Sequence, residues 1–280
     1  MFKIAIIGLG LMGGSLAYAL HGFRECKRIG YDIDESTTQQ ALERGAIDHI
    51  ATSLEGAVHE TDLSIFCSGP DSIIHNMHVC LPFFKDGSIV TEVCGVKHEI
   101  MEFITVNLPE NIHYAGLHPM AGKEVGGFAN ADPSIFKGAG FILIKPNGCP
   151  NNVELLLKEL SFYVGAGRVV TNTLEEHDAL IAYTSDLMHI AATAICADYP
   201  ANMTMAHTAG AFRDCTRVAR IDADLWTPLL TKNAGNIIPC LEIYIDNLTQ
   251  FKQALINDDK PFIHEFLRAA SENKEKMLEL

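Results

Sequence analysis

The run Lys3-Ile4-Ala5-Ile6-Ile7-Gly8-Leu9-Gly10-Leu11-Met12-Gly13-Gly14-Ser15 constrains this chain more than any other stretch of it. A short apolar strand meets a glycine turn, and residues 15–20, apolar and Ala-rich, continue as a helix. Each glycine of the G-x-G-x-x-G pattern has its own task. Gly8 permits the tight turn, Gly10 lets the backbone approach a pyrophosphate, and Gly13 allows the helix to lie close on the strand. The unpaired N–H groups at the helix start, around Leu11 and Met12, face the phosphates together with the positive end of the helix dipole.

A second strand, residues 28–31, ends at Asp32, where an acid is expected in a dinucleotide site. Its carboxylate accepts hydrogen bonds from the adenosine ribose hydroxyls and repels a 2′-phosphate. No Arg follows in Asp32-Ile33-Asp34-Glu35, so the cofactor expected is NAD rather than NADP. Ser68 and Pro70, in Ser68-Gly69-Pro70-Asp71, fall where a loop at the carboxyl end of the sheet meets the cofactor, although a plain turn explains them nearly as well.

A helix is predicted over residues 36–44, capped by Ser36 and stopped by Gly45. Strand-like runs recur at residues 63–67, 88–93, 113–117 and 140–144, and this alternation with helices implies an α/β fold with a parallel, doubly wound sheet. A helix at 153–164 and a strand at 168–170 complete that unit. Beyond residue 174 helices dominate, at roughly 174–198, 225–250 and 260–276. The predicted domains are therefore 1–165, binding the nucleotide, and 166–280, all helical. Ile237, Leu241, Ile245 and Leu248 form an apolar face that serves an internal core or a second copy, and a homodimer through the helical domain is expected.

The net charge of -14 speaks against nucleic acid or anionic membrane as partners, so an anionic substrate needs a local cluster of cations. The eight cysteines include no C-x-x-C pair, which suggests neither a metal site nor a disulfide framework, and they read as reduced, mostly buried thiols of a cytoplasmic protein. The start of the chain lacks a signal-peptide pattern, and no apolar run suggests a membrane span.

Nicotinamide chemistry needs a base beside the group that loses hydride, and cations for an acidic substrate. His118, in Gly116-Leu117-His118-Pro119-Met120-Ala121-Gly122, directly follows a predicted strand, where ligands of such sheets bind. A histidine that only satisfies loop backbone is the plainer alternative. On the helix predicted from residue 174, Ala182, Ser185, Asp186 and His189 share one face, which lines a cleft or is a salt-bridged surface. Arg213, Arg217 and Arg220 bring three cations into an acidic protein, and Arg213 or Arg217 is suited to hold a carboxylate with two prongs.

Taken in order, Gly8-Leu9-Gly10-Leu11-Met12-Gly13-Gly14-Ser15-Leu16-Ala17, His118-Pro119-Met120-Ala121-Gly122, His177-Asp178, Thr216-Arg217 and Trp226 resemble the prephenate dehydrogenase family of tyrosine biosynthesis, arogenate dehydrogenases included. The resemblance implies a Rossmann-type domain joined to a helical dimerisation domain. It also implies NAD-dependent oxidative decarboxylation of the cyclohexadienol prephenate to 4-hydroxyphenylpyruvate and CO2. By that resemblance His118 accepts the hydrogen bond of the ring hydroxyl, His189 lines the substrate pocket and Arg217 binds a substrate carboxylate.

Two departures stand out. The family usually reads Thr-Asp-Val-Gly-Ser-Val-Lys where this chain has Thr91-Glu92-Val93-Cys94-Gly95-Val96-Lys97, so Gly95 lacks the hydroxyl that helps orient the histidine, while Lys97 is kept as a substrate-side candidate. The usual Ser-His-Leu-Pro-His is Ser185-Asp186-Leu187-Met188-His189, and an acid at 186 in the pocket points toward an amine-bearing substrate such as arogenate. A β-hydroxyacid dehydrogenase shares the glycine motif, but it relies on a lysine that residues 174–205 do not contain. A nonenzymatic NAD-binding sensor is the alternative from another class.

Overall fold

In the computed structural model, which describes residues 1–278, the first strand alternates its side chains between two cores. Of β1 (Lys3–Ile7), Ile4 and Ile6 join one buried cluster, and Ala5 and Ile7 join another on the opposite face. A strand covered on both faces must be apolar throughout, which is why this one is. The chain continues through α1 (Leu11–Ala19), β2 (Lys27–Tyr31), α2 (Glu35–Glu43), β3 (His49–Ile50), α3 (Leu54–Val58), β4 (Leu63–Phe66), α4 (Pro70–Cys80), β5 (Ile89–Glu92), α5 (His98–Asn107) and β6 (His113–Tyr114). These six strands are parallel in the order β3-β2-β1-β4-β5-β6. The order reverses between β1 and β4, which opens a crevice at their carboxyl ends.

The segment read as one strand over 113–117 is divided. After β6 the chain leaves the first sheet, and β7 (Gly116–Pro119) enters a second one with β8 (Gly140–Ile144) and β9 (Arg168–Asn172). There β7 pairs antiparallel with β8, and β8 pairs parallel with β9 across α6 (Asn151–Tyr163). The last three strands therefore do not extend the parallel sheet. Ala115 marks the change of sheet: its N–H still donates to the Val90 carbonyl, and its carbonyl accepts from the Thr91 hydroxyl at 2.7 Å.

Helices follow: α7 (Leu174–Ile181), a π-helical turn at Ala182–Asp186, α8 (Leu187–Ala197), α9 (Gly210–Thr216), α10 (Ala223–Lys232), α11 (Ala234–Ile256) and α12 (Lys260–Leu278). The chain forms two compact units, the first spanning Met1–Ala234 and the second beginning at Gly235. Within the first, Lys232 on α10 bridges Asp71 of α4 at 2.8 Å and also pairs with Glu99 of α5.

Several local expectations change. The cap of α2 is Asp34, whose carboxylate accepts from the Ser36 N–H at 3.0 Å; it also accepts from the Ser36 hydroxyl, which is thereby drawn into the cap rather than forming it. Only Cys80 and Cys94 are buried, whereas Cys196 and Cys215 are exposed on helices. The helical run Leu174–Ala197 is long and apolar enough to cross a membrane by length and composition, contrary to the sequence reading. Its Asp178 and Asp186 are nevertheless buried and hydrogen-bonded to protein partners, which ties the run into the first unit.

Candidate active site

The glycine turn sits at the mouth of the crevice. Gly8 has φ of +89°, and a Cβ on Gly13 would lie 1.8 Å from the Gly8 carbonyl oxygen, so helix and strand approach as closely as the pattern predicts. Gly10, which caps α1, faces open space, and Leu11 and Met12 form the first helical positions. Asp32 accepts from the Leu9 N–H at 2.7 Å and from the Asp34 N–H at 3.0 Å, so its carboxylate is fixed against the turn. Across the crevice, Ser68 has a buried hydroxyl without a hydrogen-bond partner, and Pro70 opens α4. An open glycine, a fixed carboxylate and an orphaned hydroxyl at the strand switch fit a dinucleotide.

At the far side of the sheet's carboxyl edge, β7 carries His118, whose Nδ1 is 2.9 Å from Nε2 of His177. His177 Nδ1 in turn lies 2.7 Å from Asp178 Oδ1. Asp178 also accepts from the backbone N–H groups of Lys97 and His98, at 3.3 and 3.1 Å, capping α5. Burial, then the positive charge of Lys97 and the neighbouring His177, hold the His118 pKa well below the usual histidine value. His118 is thus a neutral imidazole at working pH. Its Nε2 would lie 3.8 Å from a Cβ on Gly95, with Leu229 of α10 at 3.9 Å from the same point.

Lys97 is fully buried and meets Glu92 Oε1 at 2.7 Å, the Cys94 carbonyl at 2.7 Å and the Leu117 carbonyl at 3.0 Å. Three donors on an ammonium are spent on these contacts, so Lys97 lies inside the fold rather than open to a substrate. Glu92 is equally engaged, accepting from the Tyr114 hydroxyl at 2.9 Å and from the Cys94 N–H at 2.7 Å. The ammonium binds the carbonyl of Leu117, directly before His118, and so braces the strand from below. Cys94 does not replace the missing hydroxyl: it belongs to a buried apolar cluster, and burial pushes its pKa up to about 11.

The π turn separates residues that regular helical spacing puts on one face. Ala182 and Asp186 turn inward, whereas Ser185 and His189 are partly exposed. His189 donates from Nδ1 to the Ser185 carbonyl at 2.9 Å and lies against Trp226, ring centroids 3.8 Å apart. Partial burial lowers its pKa, opposed by the Ser185 carbonyl and reinforced by Arg217. Trp226 and Leu229, three residues apart on α10, thereby join the His189 and His118 neighbourhoods. Arg217 pairs with Glu124, six positions after His118, and keeps most of its side chain exposed. Arg213, also exposed, lies one turn earlier on α9.

Asp186 accepts from the Asn233 side-chain amide at 2.8 Å, and that amide also reaches the Asp178 carbonyl at 3.0 Å. It therefore faces a buried amide rather than an open pocket. Burial raises its pKa from 3.8 to about 6. The folded protein holds a proton that the unfolded chain releases between those values, so stability falls as pH rises across that window and stays lowered above it. Asp186→Asn is accordingly expected to raise the melting temperature by several degrees at about pH 8 and by little at about pH 4. An equal shift at both pH values, read by calorimetry, would reject this origin.

Sequence reasoning missed the roles of His177, Asp178, Glu92 and Glu124. The available signal was the adjacent His177-Asp178 pair, placed just after the first turn of α7 and followed by the apolar Ala179, Leu180 and Ile181.

Residues 17–170 match the nucleotide-binding domain of prephenate dehydrogenase, and residues 173–269 match its dimerisation domain. The chain is 28% identical to the cyclohexadienyl dehydrogenase of Zymomonas mobilis, over 96% of this chain and 94% of that protein. Among solved structures, it superposes on prephenate dehydrogenase from A. aeolicus, in complex with hydroxyphenyl propionate and NAD+, with a TM-score of 0.86 at 24% identity, covering 99% of this chain and 98% of the other. The arogenate dehydrogenase of Synechocystis gives a TM-score of 0.83 at 25% identity, covering 99% and 100%.

Proposed function

The chain belongs to the prephenate dehydrogenase family, and from that premise we propose that it oxidatively decarboxylates prephenate to 4-hydroxyphenylpyruvate and CO2 with reduction of NAD+. It is an NAD-dependent oxidoreductase of the prephenate dehydrogenase type, which sets aside the β-hydroxyacid dehydrogenase and sensor readings. The observation that carries the proposal is the neutral His118 imidazole, tied at Nδ1 and left with Nε2 over Gly95.

Bound NAD+ supplies the acceptor for the hydride leaving C4, while loss of the ring carboxylate as CO2 restores aromaticity. Gly8, Gly10, Leu11, Met12 and Gly13 hold the pyrophosphate, Asp32 the adenosine ribose, and Ser68 and Pro70 border the cofactor on the other side of the crevice. His118 Nε2 accepts the proton of the ring hydroxyl as it becomes a ketone, and returns it to the oxygen once loss of CO2 has left a phenolate. Arg217 binds a substrate carboxylate after exchanging its partner Glu124, with His189, Ser185 and Arg213 lining the same region. Gly95 puts no side chain between Nε2 and the ring hydroxyl. Lys97 and Asp186 act from inside the fold.

Purified protein given NAD+ and prephenate is expected to produce NADH absorbance; silence with both prephenate and arogenate, despite measurable NAD binding, would overturn the proposal. The second reading, arogenate as substrate, draws on the likeness to the Synechocystis enzyme, and Asp186, turned to Asn233, lends it no support. Side-by-side kinetics with the two substrates decides between them. Arg217→Ala is expected to raise KM at least about tenfold, the loss of a charge-assisted contact, and an unchanged KM would remove Arg217 from substrate binding.

The proposal includes a division into residues 1–165 for the nucleotide and 166–280 for substrate and dimer contacts, and a homodimer working in the cytoplasm. Its support is the matched dimerisation domain and the exposed Ile238, Ile243, Ile245 and Leu248 on α11.

A further inference from the structure

We infer that His177 and Asp178 are a positioning pair that sets the tautomer of His118, doing from the Nδ1 side what a hydroxyl at position 95 would do from the other. This rests on the reading of His118 as the proton acceptor. The direction of every bond in the chain is determined by its inner end. Asp178 receives the backbone N–H groups of Lys97 and His98, and it is the acceptor for His177 Nδ1 as well. His177 therefore carries its proton on Nδ1 and offers a bare Nε2. At 2.9 Å from that lone pair, His118 Nδ1 must be the protonated nitrogen, and its Nε2 is left with the lone pair that faces the space over Gly95.

The pair is built for this task. His177 is completely buried, and Asp178 nearly so. The two rings meet edge to face, with centroids 5.1 Å apart, which fixes the plane of His118 as well as its tautomer. With Gly95 in this chain, no side chain at 95 hydrogen-bonds to His118. The partners come from segments 59 residues apart, joined only by folding.

The test is nitrogen NMR of the full-length protein with labelled histidine side chains at neutral pH, together with kinetics. The wild type is expected to show His118 as a single Nδ1–H tautomer. His177→Leu removes the acceptor, and His118 is then expected to populate the Nε2–H form, with kcat lowered about 10- to 100-fold while KM changes less than about threefold. His177→Gln supplies a carbonyl acceptor in the same place and is expected to recover most of kcat and the original tautomer. An Nε2–H tautomer in the wild type would overturn the inference whether or not the leucine variant folds. So would a leucine variant that keeps both the Nδ1–H form and wild-type kcat, or one that the glutamine variant does not outperform. If His118→Asn leaves kcat intact, the proton-acceptor reading fails instead, and the tautomer measurement still judges the pair.

Discussion

His118→Asn is expected to lower kcat by at least about 100-fold, close to 3 kcal/mol of transition-state stabilisation, with NAD affinity unchanged. An amide at this position still fills the strand end but cannot take up the proton of the ring hydroxyl. Nucleotide affinity is spared because Gly8, Gly10 and Asp32 lie at the ends of β1 and β2, whereas His118 lies on β7 in the other sheet. Stopped-flow or steady-state turnover checks the first part, and fluorescence titration with NADH checks the second. A loss below about fivefold would move the base elsewhere. The pH profile gives a companion result. Burial, with Lys97 and His177, lowers the His118 pKa, so the base form survives as pH falls through 6.5 and is lost only further down. An acid limb of kcat/KM above pH 6.5 would contradict the geometry.

Lys97→Met is expected to cost about 3–5 kcal/mol of stability, because it leaves the fully buried Glu92 carboxylate without its counter-charge. That is a large share of what a domain has to lose. The carbonyls of Cys94 and Leu117 lose their donor at the same time. Denaturant unfolding measures the effect, and a loss under about 1 kcal/mol would show that the pair is not the brace inferred here. The double variant E92Q/K97M is expected to be less destabilised than Lys97→Met alone, since a neutral amide replaces the uncompensated charge. If Lys97 instead met the substrate directly, KM would rise with stability unchanged.

Parts of the site were legible because they depend on neighbours in the chain. The strand, turn and helix around Gly8, the acid at 32 and the histidine after a strand are local patterns with a local physical cause. The same reasoning went astray where a contact spans long stretches. Lys97 reads as a free cation from its motif, but only the convergence of Glu92, Cys94 and Leu117 shows where its charge is spent. Asp186 reads as a pocket acid by its place in the helix. The π turn and Asn233, 47 residues on, take it inside.

The nucleotide half could be proposed from the chain alone, because Gly8, Gly13 and Asp32 fall within one strand, turn and helix and the strand that follows, although Cys67, just past the neighbouring strand, adds to the steric demand at Gly8. The assembly of the proposed chemical half depends on packing between distant segments. Ala115 passes the chain from one sheet to the other, α10 lays Leu229 near Gly95 and Trp226 on His189, and Asp178 aligns His177 against His118. Hydrogen-bond direction and burial are properties of a place rather than of a residue type, and that place exists only once segments distant in the chain have packed together.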